Sequence, residues 1–386
     1  MPSLDQRDLE ELSQIRRDLH AHPELAFKEE RTAAIVASKL AEYGCEVACG
    51  LAKTAVVGTL RSGSARRAIG LRADMDALPI EEQNDFAHRS TVAGAMHACG
   101  HDGHTTILLG AAKHLARTRR FDGAVHFIFQ PAEEGFAGAK ALIAEGLFEK
   151  FPCDAVFALH NRPGIPLGAI ATRAGPLLAA SDRWDIRIEA RGTHAGYPHL
   201  GTDPFIVAAE IALALQTVAS RNLDPLDAAV VSIGFIRGGS AYNVIPDAVH
   251  IGGTVRSFKN EVRDLVETRI SEIARAIAAA HGASAKVDYR RGYPATVNHP
   301  AETEFALSAA EEICGGEGVL RDFAPSMGSE DFSYMLARCP GAMVWLGNGE
   351  GREGAFLHNA RYDFNDGAIP FGVGFFVRLA ERFLAP

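Results

Sequence analysis

The sequence lacks three things that would each have claimed it for a class of proteins. No long run of lysine and arginine stands out, and Lys+Arg 39 against Asp+Glu 48 leaves a formal net charge of −9. Nucleic-acid affinity rests mainly on neutralising phosphates, so no nucleic-acid partner is expected. No uninterrupted apolar stretch reaches the ~18 residues that a bilayer span needs, and no membrane partner is expected. Cysteine is scarce: six in 386 residues, at 45, 49, 99, 153, 314 and 339, with no CxxC pair. That is too sparse for a disulfide framework and reads as reduced thiols in a cytoplasm. The opening MPSLDQRDLEELSQIRR is charged and amphipathic, without the apolar core of a signal peptide, so a cytoplasmic location is expected. There is no internal repeat, no low-complexity linker and no GxSxG nucleophile elbow.

What is present is ordinary globular material, 47% hydrophobic and 23% charged. At about 150 residues per domain the length suggests two or three domains. Ser3 and Gln6 form a capping-box pattern ahead of a helix carrying Leu9, Leu12, Ile15 and Leu19. A second helix is predicted over about 30–43, stopping at Gly44. Short apolar runs at 55–60, 68–73, 124–130 and 154–160 read as buried strands, with helices at 104–117 and 137–145 between them. Such alternation predicts a mostly parallel sheet covered on both faces.

The pattern changes near residue 181. Strands at 182–191, 228–236, 247–257 and 285–290 alternate with helices at about 204–219 and 260–281, the β-α-β-β-α-β order of ferredoxin-like domains. Alternation then resumes with helices near 302–314, 329–337 and 368–384 and a strand at 341–347. The expected architecture is an α/β catalytic domain, residues 1–180 and 292–386, interrupted by an α+β insert over 181–291.

The densest chemical signal is MHACGHDGH, residues 96–104, which places three histidines, a cysteine and an aspartate just before a helix. A glycine-rich turn that only caps the helix would seldom need so many soft ligands. Cys99 and His101 alternate and can point to one side, and thiolate with imidazole suits borderline metals. The second signal is FIFQPAEEG, where Glu133 and Glu134 follow a buried strand and Pro131. Adjacent carboxylates are usually just solvated. Here they share their position with Asp74 and Asp76 in GLRADMD and His160 in VFALH, each following an apolar run. Open α/β sheets bind ligands beyond the carboxyl ends of their strands. One such carboxylate can ligate a metal while its neighbour serves as general base.

Taken together, ADMDALP, HACGHDGH, QPAEE, ALH, GTHAG, NVIPD, GTVRS, MGSEDF and FLHN resemble the metal-dependent aminoacylase and carboxypeptidase family. The closest resemblance is to its branch of hippurate hydrolases and auxin-conjugate amidohydrolases. The motifs run in family order from about His20 to the C-terminus. The resemblance implies two divalent metal ions per subunit, drawn from Mn, Zn, Ni or Co, with Cys99 shared between them. His101, Glu134, His160 and His358 would complete the ligands, Glu133 would be the general base, and Asp76 would orient a ligand. One departure from the wider family is that Asp74-Met75-Asp76 stands where other members carry His-x-Asp, and another is that Cys99 replaces a bridging aspartate.

Three residues of the insert gain meaning only through the resemblance. His194 in GTHAG resembles the family's oxyanion-stabilising histidine, although a lone histidine there is more often structural. Asn243 becomes a substrate contact, although a loop asparagine can simply cap a turn. Arg256 is placed either as an ordinary strand-end charge or to pair with a substrate carboxylate. The implied activity is cleavage of small-molecule N-acyl amino acids to a carboxylic acid and an amino acid. The implied assembly is a homodimer or higher homo-oligomer through the insert, acting as a lid and dimerisation domain. The alternatives are a dipeptidase or carboxypeptidase, or a thiol acyl hydrolase with Cys99 as nucleophile and His101 or His104 as base.

Overall fold

A strand covered on both faces must be apolar almost throughout, and four segments meet that demand. In the computed structural model, which describes residues 4–351 and 354–385, Gly123–Gln130, Ala68–Asp74, Ala155–Arg162 and Gly341–Gly347 lie side by side in that order, all parallel. Ala55–Ser62 and then Glu46–Leu51 extend the sheet antiparallel at one edge. Ile170–Ala171, antiparallel, and Val319–Leu320 finish the other. The result is a mixed α/β sheet with a parallel centre. Its outer strands were not foreseen because they are two residues long or largely uncovered, so they carry no apolar run to read.

Ala68–Asp74 has later strands on both sides, so the chain order reverses about it. In such sheets a crevice opens at the carboxyl end of the strands at this switch point. Asp74, Gln130 and His160 all lie at that end.

The first helix, Gln6–Ala21, is capped by Asp5, whose side chain accepts from the Asp8 N–H at 2.8 Å. The expected cap at Ser3 lies outside the described residues. Glu30–Glu42 ends before Gly44, which takes φ 78° as a helix-terminating residue should. The helix expected over 329–337 is reduced to the turn Ser333–Leu336. Side-chain chemistry overrides local propensity at its start, where the Asp331 N–H donates to Glu133 Oε1 at 3.3 Å.

The chain divides into two compact units. The first holds the described residues up to Leu177, with Val297–Ala324 and Asp331 onward; the second holds Leu178–Thr296 and Pro325–Glu330. The second unit has a four-stranded antiparallel sheet in the order Ala229–Gly238, Ala248–Ser257, Ala180–Glu189, Ser284–Arg291. Ala180–Glu189 alternates strictly between buried and more open positions, as a sheet covered on one face should. Trp184, Ile186 and Ile188 on the covered side pack with Val207, Ile211 and Leu215 of the helix Pro204–Thr217 and Val266 and Ile270 of the helix Asn260–Ala280. Pro204–Asn222 is the one stretch among the described residues long and apolar enough by composition to cross a membrane. Its inner face, Val207, Ile211, Leu215 and Val218, is buried in this core, while two thirds of the stretch is not.

Candidate metal centre

Asp74 ends its strand and is bound on every side. Arg72 Nη1 donates to Asp74 Oδ2 at 2.6 Å, His104 Nδ1 to Oδ1 at 2.6 Å, and Thr105 Oγ1 to the Asp74 carbonyl at 2.9 Å. With Nδ1 committed, His104 Nε2 accepts from the Asn161 N–H at 2.9 Å. The Asn161 side chain donates to the Cys99 carbonyl at 2.7 Å and accepts from the Tyr362 hydroxyl at 2.7 Å. Both His104 nitrogens are therefore spent on orientation. Gly100 fits this web twice over: it has φ 84°, and a Cβ there would collide with Asn161 and Tyr362.

His101, the first residue of the helix His101–Thr118, is the opposite case. Its two ring nitrogens are buried and neither makes a hydrogen bond. Around them stand Asp76 Oδ1 at 3.4 Å, Asp74 Oδ2 at 3.8 Å and Glu134 Oε1 at 4.0 Å, close enough for charge attraction but without hydrogen-bond geometry. His160 donates from Nδ1 to the Asn161 carbonyl at 2.7 Å, and its Nε2 lies 3.4 Å from Cys99 Sγ. That hydrogen bond fixes the tautomer and leaves the Nε2 lone pair for a ligand role.

Glu133 and Glu134 occupy an irregular turn, not a surface helix face: Ala132 has φ 58° and Glu134 a non-helical ψ of 70°. Asp76 holds the turn by accepting from the Glu133 N–H and the Glu134 N–H, each at 2.9 Å. His358 also sits at positive φ, 64°, with its N–H bonded to the Ala98 carbonyl at 2.8 Å and its Nε2 3.2 Å from Glu134 Oε1. Non-glycine residues in this region cost ~1–3 kcal/mol and cluster where function demands a fixed geometry. His358 is half-exposed beside buried Cys99, His101 and His160, so the cluster opens to solvent on its side.

Several groups of ligand atoms converge within 4.8 Å, among them Cys99, His101 and His160 and, second, Cys99, Glu134 and His358. Cys99 belongs to both. One thiol, three imidazoles and a carboxylate form a donor set for borderline divalent ions. The orphaned His101 nitrogens and the orphaned Glu134 Oε1 are what a cation would satisfy.

The electrostatics agree with a cation site. Burial opposes protonation of His101, yet the surrounding carboxylates, Asp74 foremost, lift its pKa to about 10. The carboxylates around His101 thus favour positive charge there despite its burial. Burial pushes His160 well below its usual range, keeping it neutral and able to ligate. Burial, then Glu134, Glu133 and Asp74, push the Cys99 thiol well above its usual range. The thiolate is both the metal ligand and the nucleophile, so either role for Cys99 requires a neighbouring positive charge to bring that pKa down.

Among the insert residues, His194 stands in the two-residue strand Thr193–His194, opposite Val244. Asn243 is next in sequence to Val244, and its carbonyl accepts from the Ala195 N–H at 2.9 Å, so the second unit brings His194 and Asn243 together. His194 Nδ1 accepts from the Gly196 N–H at 3.0 Å, which leaves the proton on an exposed Nε2. Arg256 lies apart from them on Ala248–Ser257, with Nη1 donating to Ser181 Oγ and to the Val255 carbonyl.

The comparison with known proteins is decisive on kinship. Residues 70–382 match the model of "Peptidase family M20/M25/M40". The chain belongs to this family. It is 42% identical over 97% of its length to a hippurate hydrolase of Campylobacter jejuni, covering 97% of that protein. It is 41% identical over 96% of its length to an N-acetyl-L-cysteine deacetylase of Bacillus subtilis, covering 87% of it. A crystal structure of a Bacillus subtilis protein, described as a dinuclear metal-binding peptidase of the M20 family, superposes with a TM-score of 0.86 at 34% identity, over 98% of this chain and 99% of that one.

Sequence reasoning passed over several residues that organise this M20 site. Arg72 and Gln130, with Nη2 and Nε2, donate to Asp331 Oδ1 at 3.2 and 2.7 Å, and Asp331 in turn supplies the N–H that reaches Glu133. Asn161 and Tyr362 were likewise missed. The signals for Asp331 and Gln130 lay in MGSEDF and QPAEE, motifs that carried resemblance but assigned these two residues no chemistry; Arg72, on a buried strand, carried none.

Proposed function

We propose that this protein is a metal-dependent amidohydrolase that cleaves N-acyl amino acids to a carboxylic acid and an amino acid. The observation that carries the reading is the pair of ligand sets sharing Cys99, with Glu133 beside them on a turn clamped by Asp76. Cys99, His101 and His160 would hold one divalent ion and Cys99, Glu134 and His358 a second, of Mn, Zn, Ni or Co. Bound there, ions supply Lewis-acid polarisation of the amide carbonyl and activation of water.

The chain's own groups supply the proton transfers. The Glu133 carboxylate takes the proton of the attacking water and then gives it to the leaving nitrogen. The Asp331 N–H on Oε1 and the Asp76 grip on the backbone fix where that carboxylate stands. His194 offers Nε2–H as a donor to the developing oxyanion. Asn243 and Arg256 contribute substrate contacts, with Arg256 committing its guanidinium to a carboxylate only through the donors that Ser181 leaves unused.

Self-association through the second unit is part of the same proposal. The helix Pro204–Thr217 leaves Phe205, Ile206 and Leu213 exposed, and the edge strand Ala229–Gly238 leaves Val230 and Ile236 exposed. An unpaired edge beside an apolar helix face fits a second copy of the chain better than open water.

Turnover of a panel of N-acyl amino acids, measured with each added metal and after exhaustive chelation, tests the function. We expect hydrolysis that chelation abolishes and a divalent ion restores. Activity that survives chelation would overturn the metal-dependent reading. Mixing His194→Ala with Glu133→Gln under subunit exchange tests sharing of the site: recovered activity supports donation across a dimer, and exchange without recovery assigns His194 to its own chain.

A further inference from the structure

Buried arginines in this protein are paired. Arg16 faces Asp102, Asp363 and Asp366, Arg72 faces Asp74 and Asp331, and Arg263 faces Asp182. Arg162 breaks the pattern. It is partly buried, and among the described residues no carboxylate faces its guanidinium. Three aromatic rings surround it instead, with the guanidinium carbon 4.8 Å from the Trp345 ring centroid, 5.6 Å from Phe356 and 5.7 Å from Phe323.

The position of this cage gives it meaning. Arg162 is two residues beyond His160 on Ala155–Arg162, so both side chains leave the same face of the strand, ~7 Å apart along it. Trp345 is the register partner of His160 on the neighbouring strand, and its ring meets the His160 ring edge-on at 5.5 Å. Trp345 therefore touches a ligand candidate on one side and the arginine on the other. It is 4% exposed, yet its Nε1 has no hydrogen-bond partner among the described residues.

Among the described residues, neither the guanidinium nor the indole N–H donates to a protein acceptor. Two unsatisfied donors ask for one kind of guest, an acceptor, and the arginine's charge and planar fork select a carboxylate. The aromatic faces hold the guanidinium in place before that guest arrives. Phe356, 47% exposed, leaves the cage open on one side.

We propose that Arg162 and Trp345 Nε1 form an anion subsite that binds a carboxylate of the substrate and so sets specificity. The proposal rests on the amidohydrolase reading, and the spacing suits it: a carboxylate a few bonds from the scissile carbonyl spans such a distance. Two carboxylates could fill the subsite. One is the α-carboxylate that every N-acyl amino acid carries; the other is a second carboxylate on the acyl group or on the amino-acid side chain.

Steady-state kinetics of the metal-loaded wild type, Arg162→Met and Arg162→Lys decide between these sources. The substrates are N-acetylmethionine, its uncharged amide, N-acetylglutamate and N-succinylmethionine. A lost charged hydrogen bond predicts a KM raised roughly 10- to 100-fold for Arg162→Met on whichever acids use the subsite, with kcat nearly unchanged. Arg162→Lys should recover part of the loss, and the amide should show no penalty. A penalty on all three acids assigns the subsite to the α-carboxylate; one confined to N-acetylglutamate or N-succinylmethionine assigns it to the second. An active wild type whose KM values do not move in Arg162→Met overturns the proposal. So does a change that follows a lower melting temperature or lost metal, since packing on the aromatic rings alone would produce it. Should Arg162→Met fail to fold, Trp345→Phe keeps the aromatic face and removes only the N–H, and the same comparison applies. Should the wild type cleave none of these substrates, the functional reading fails by itself. Calorimetric titration with glutarate and with propionate then still judges the subsite, and equal affinity of wild type and Arg162→Met overturns it.

Discussion

The ligand cluster of the first unit and the His194–Asn243 ribbon of the second are built on opposite principles. Around Cys99, orienting groups are locked in pairs: His104 spends both nitrogens, Asp76 accepts two backbone N–H groups, and Asn161 ties Cys99 to Tyr362. The His101 ring nitrogens and Glu134 Oε1, which would meet a metal, are among the buried atoms left unsatisfied. Among the described residues the His194 side chain has one hydrogen bond, a local one, and it stands in an exposed two-residue strand. The difference suits the role proposed for each. Ligands must converge on an ion before substrate arrives, and that precision comes from buried, mutually constraining hydrogen bonds. A donor to the reacting oxygen needs only a defined tautomer and access to substrate.

Substitutions in the two regions should therefore fail in different ways. The largest effect is expected from Cys99→Ala, which removes the one atom common to both ligand sets. Metal content by mass spectrometry should fall and activity should vanish; an inactive variant with wild-type metal would favour the thiol nucleophile. Glu133→Gln should keep its metal and lose ~10²–10⁴-fold in kcat, the usual value of a general base. A variant that kept most of its activity would remove Glu133 from that role. His194→Ala should also keep its metal and lose ~10²–10³-fold in kcat with little change in KM. If it lost metal instead, the contrast between the two regions would be false.

How far the sequence revealed the site follows the same division. Cys99, His101, Glu133, Glu134 and His160 were legible because metal chemistry uses few residue types, placed here at strand ends. His358 follows a run of glycines and was found through FLHN and the resemblance. Arg72, Asp331, Asn161 and Tyr362 were not legible, since a buried polar residue acquires its purpose from partners far along the chain. Asp331 reaches Gln130 and Ala139 across roughly two hundred residues of separation, and no local pattern records that. The edge strands and the short Ser333–Leu336 turn were missed for a related reason: tertiary hydrogen bonds, not propensity, decide them.

Stability sharpens the comparison where catalysis is silent. In the second unit Asp182 is buried and accepts from Arg263 Nε at 2.8 Å, from Arg263 Nη2, from the Tyr289 hydroxyl at 2.8 Å and from the Gly292 N–H at 3.0 Å. Arg263→Met would leave that carboxylate without its countercharge. Breaking one side of a buried pair costs ~3–5 kcal/mol. We expect calorimetry to show a lowered transition for this variant while its metal content stays at the wild-type level. A loss of metal on unfolding the second unit would show that the cluster depends on it.

The smallest effect concerns pH. His20 is buried, with Nδ1 2.8 Å from Asp102 and Nε2 3.2 Å from Glu82, while Arg16 opposes its charge. Burial works against protonation, but Asp102 and then Glu82 outweigh it and raise the pKa of His20 to about 9. An unfolded histidine titrates near ~6.5, so the folded state binds this proton more tightly. Below that value both states carry it and the full stabilisation is present. As the pH rises from ~6.5 through about 9 the unfolded chain sheds the proton first, and the stabilisation drains away, at most about 3 kcal/mol for a shift of this size. The measurement belongs on metal-loaded protein, where His101, as a proposed ligand, would not add its own titration. Denaturant midpoints of the wild type should fall across that window, and those of His20→Gln should start lower and stay flatter. If the two slopes coincide, the proton does not reside on His20, and the Asp102–Glu82 cage is held together by Arg16 and neutral hydrogen bonds.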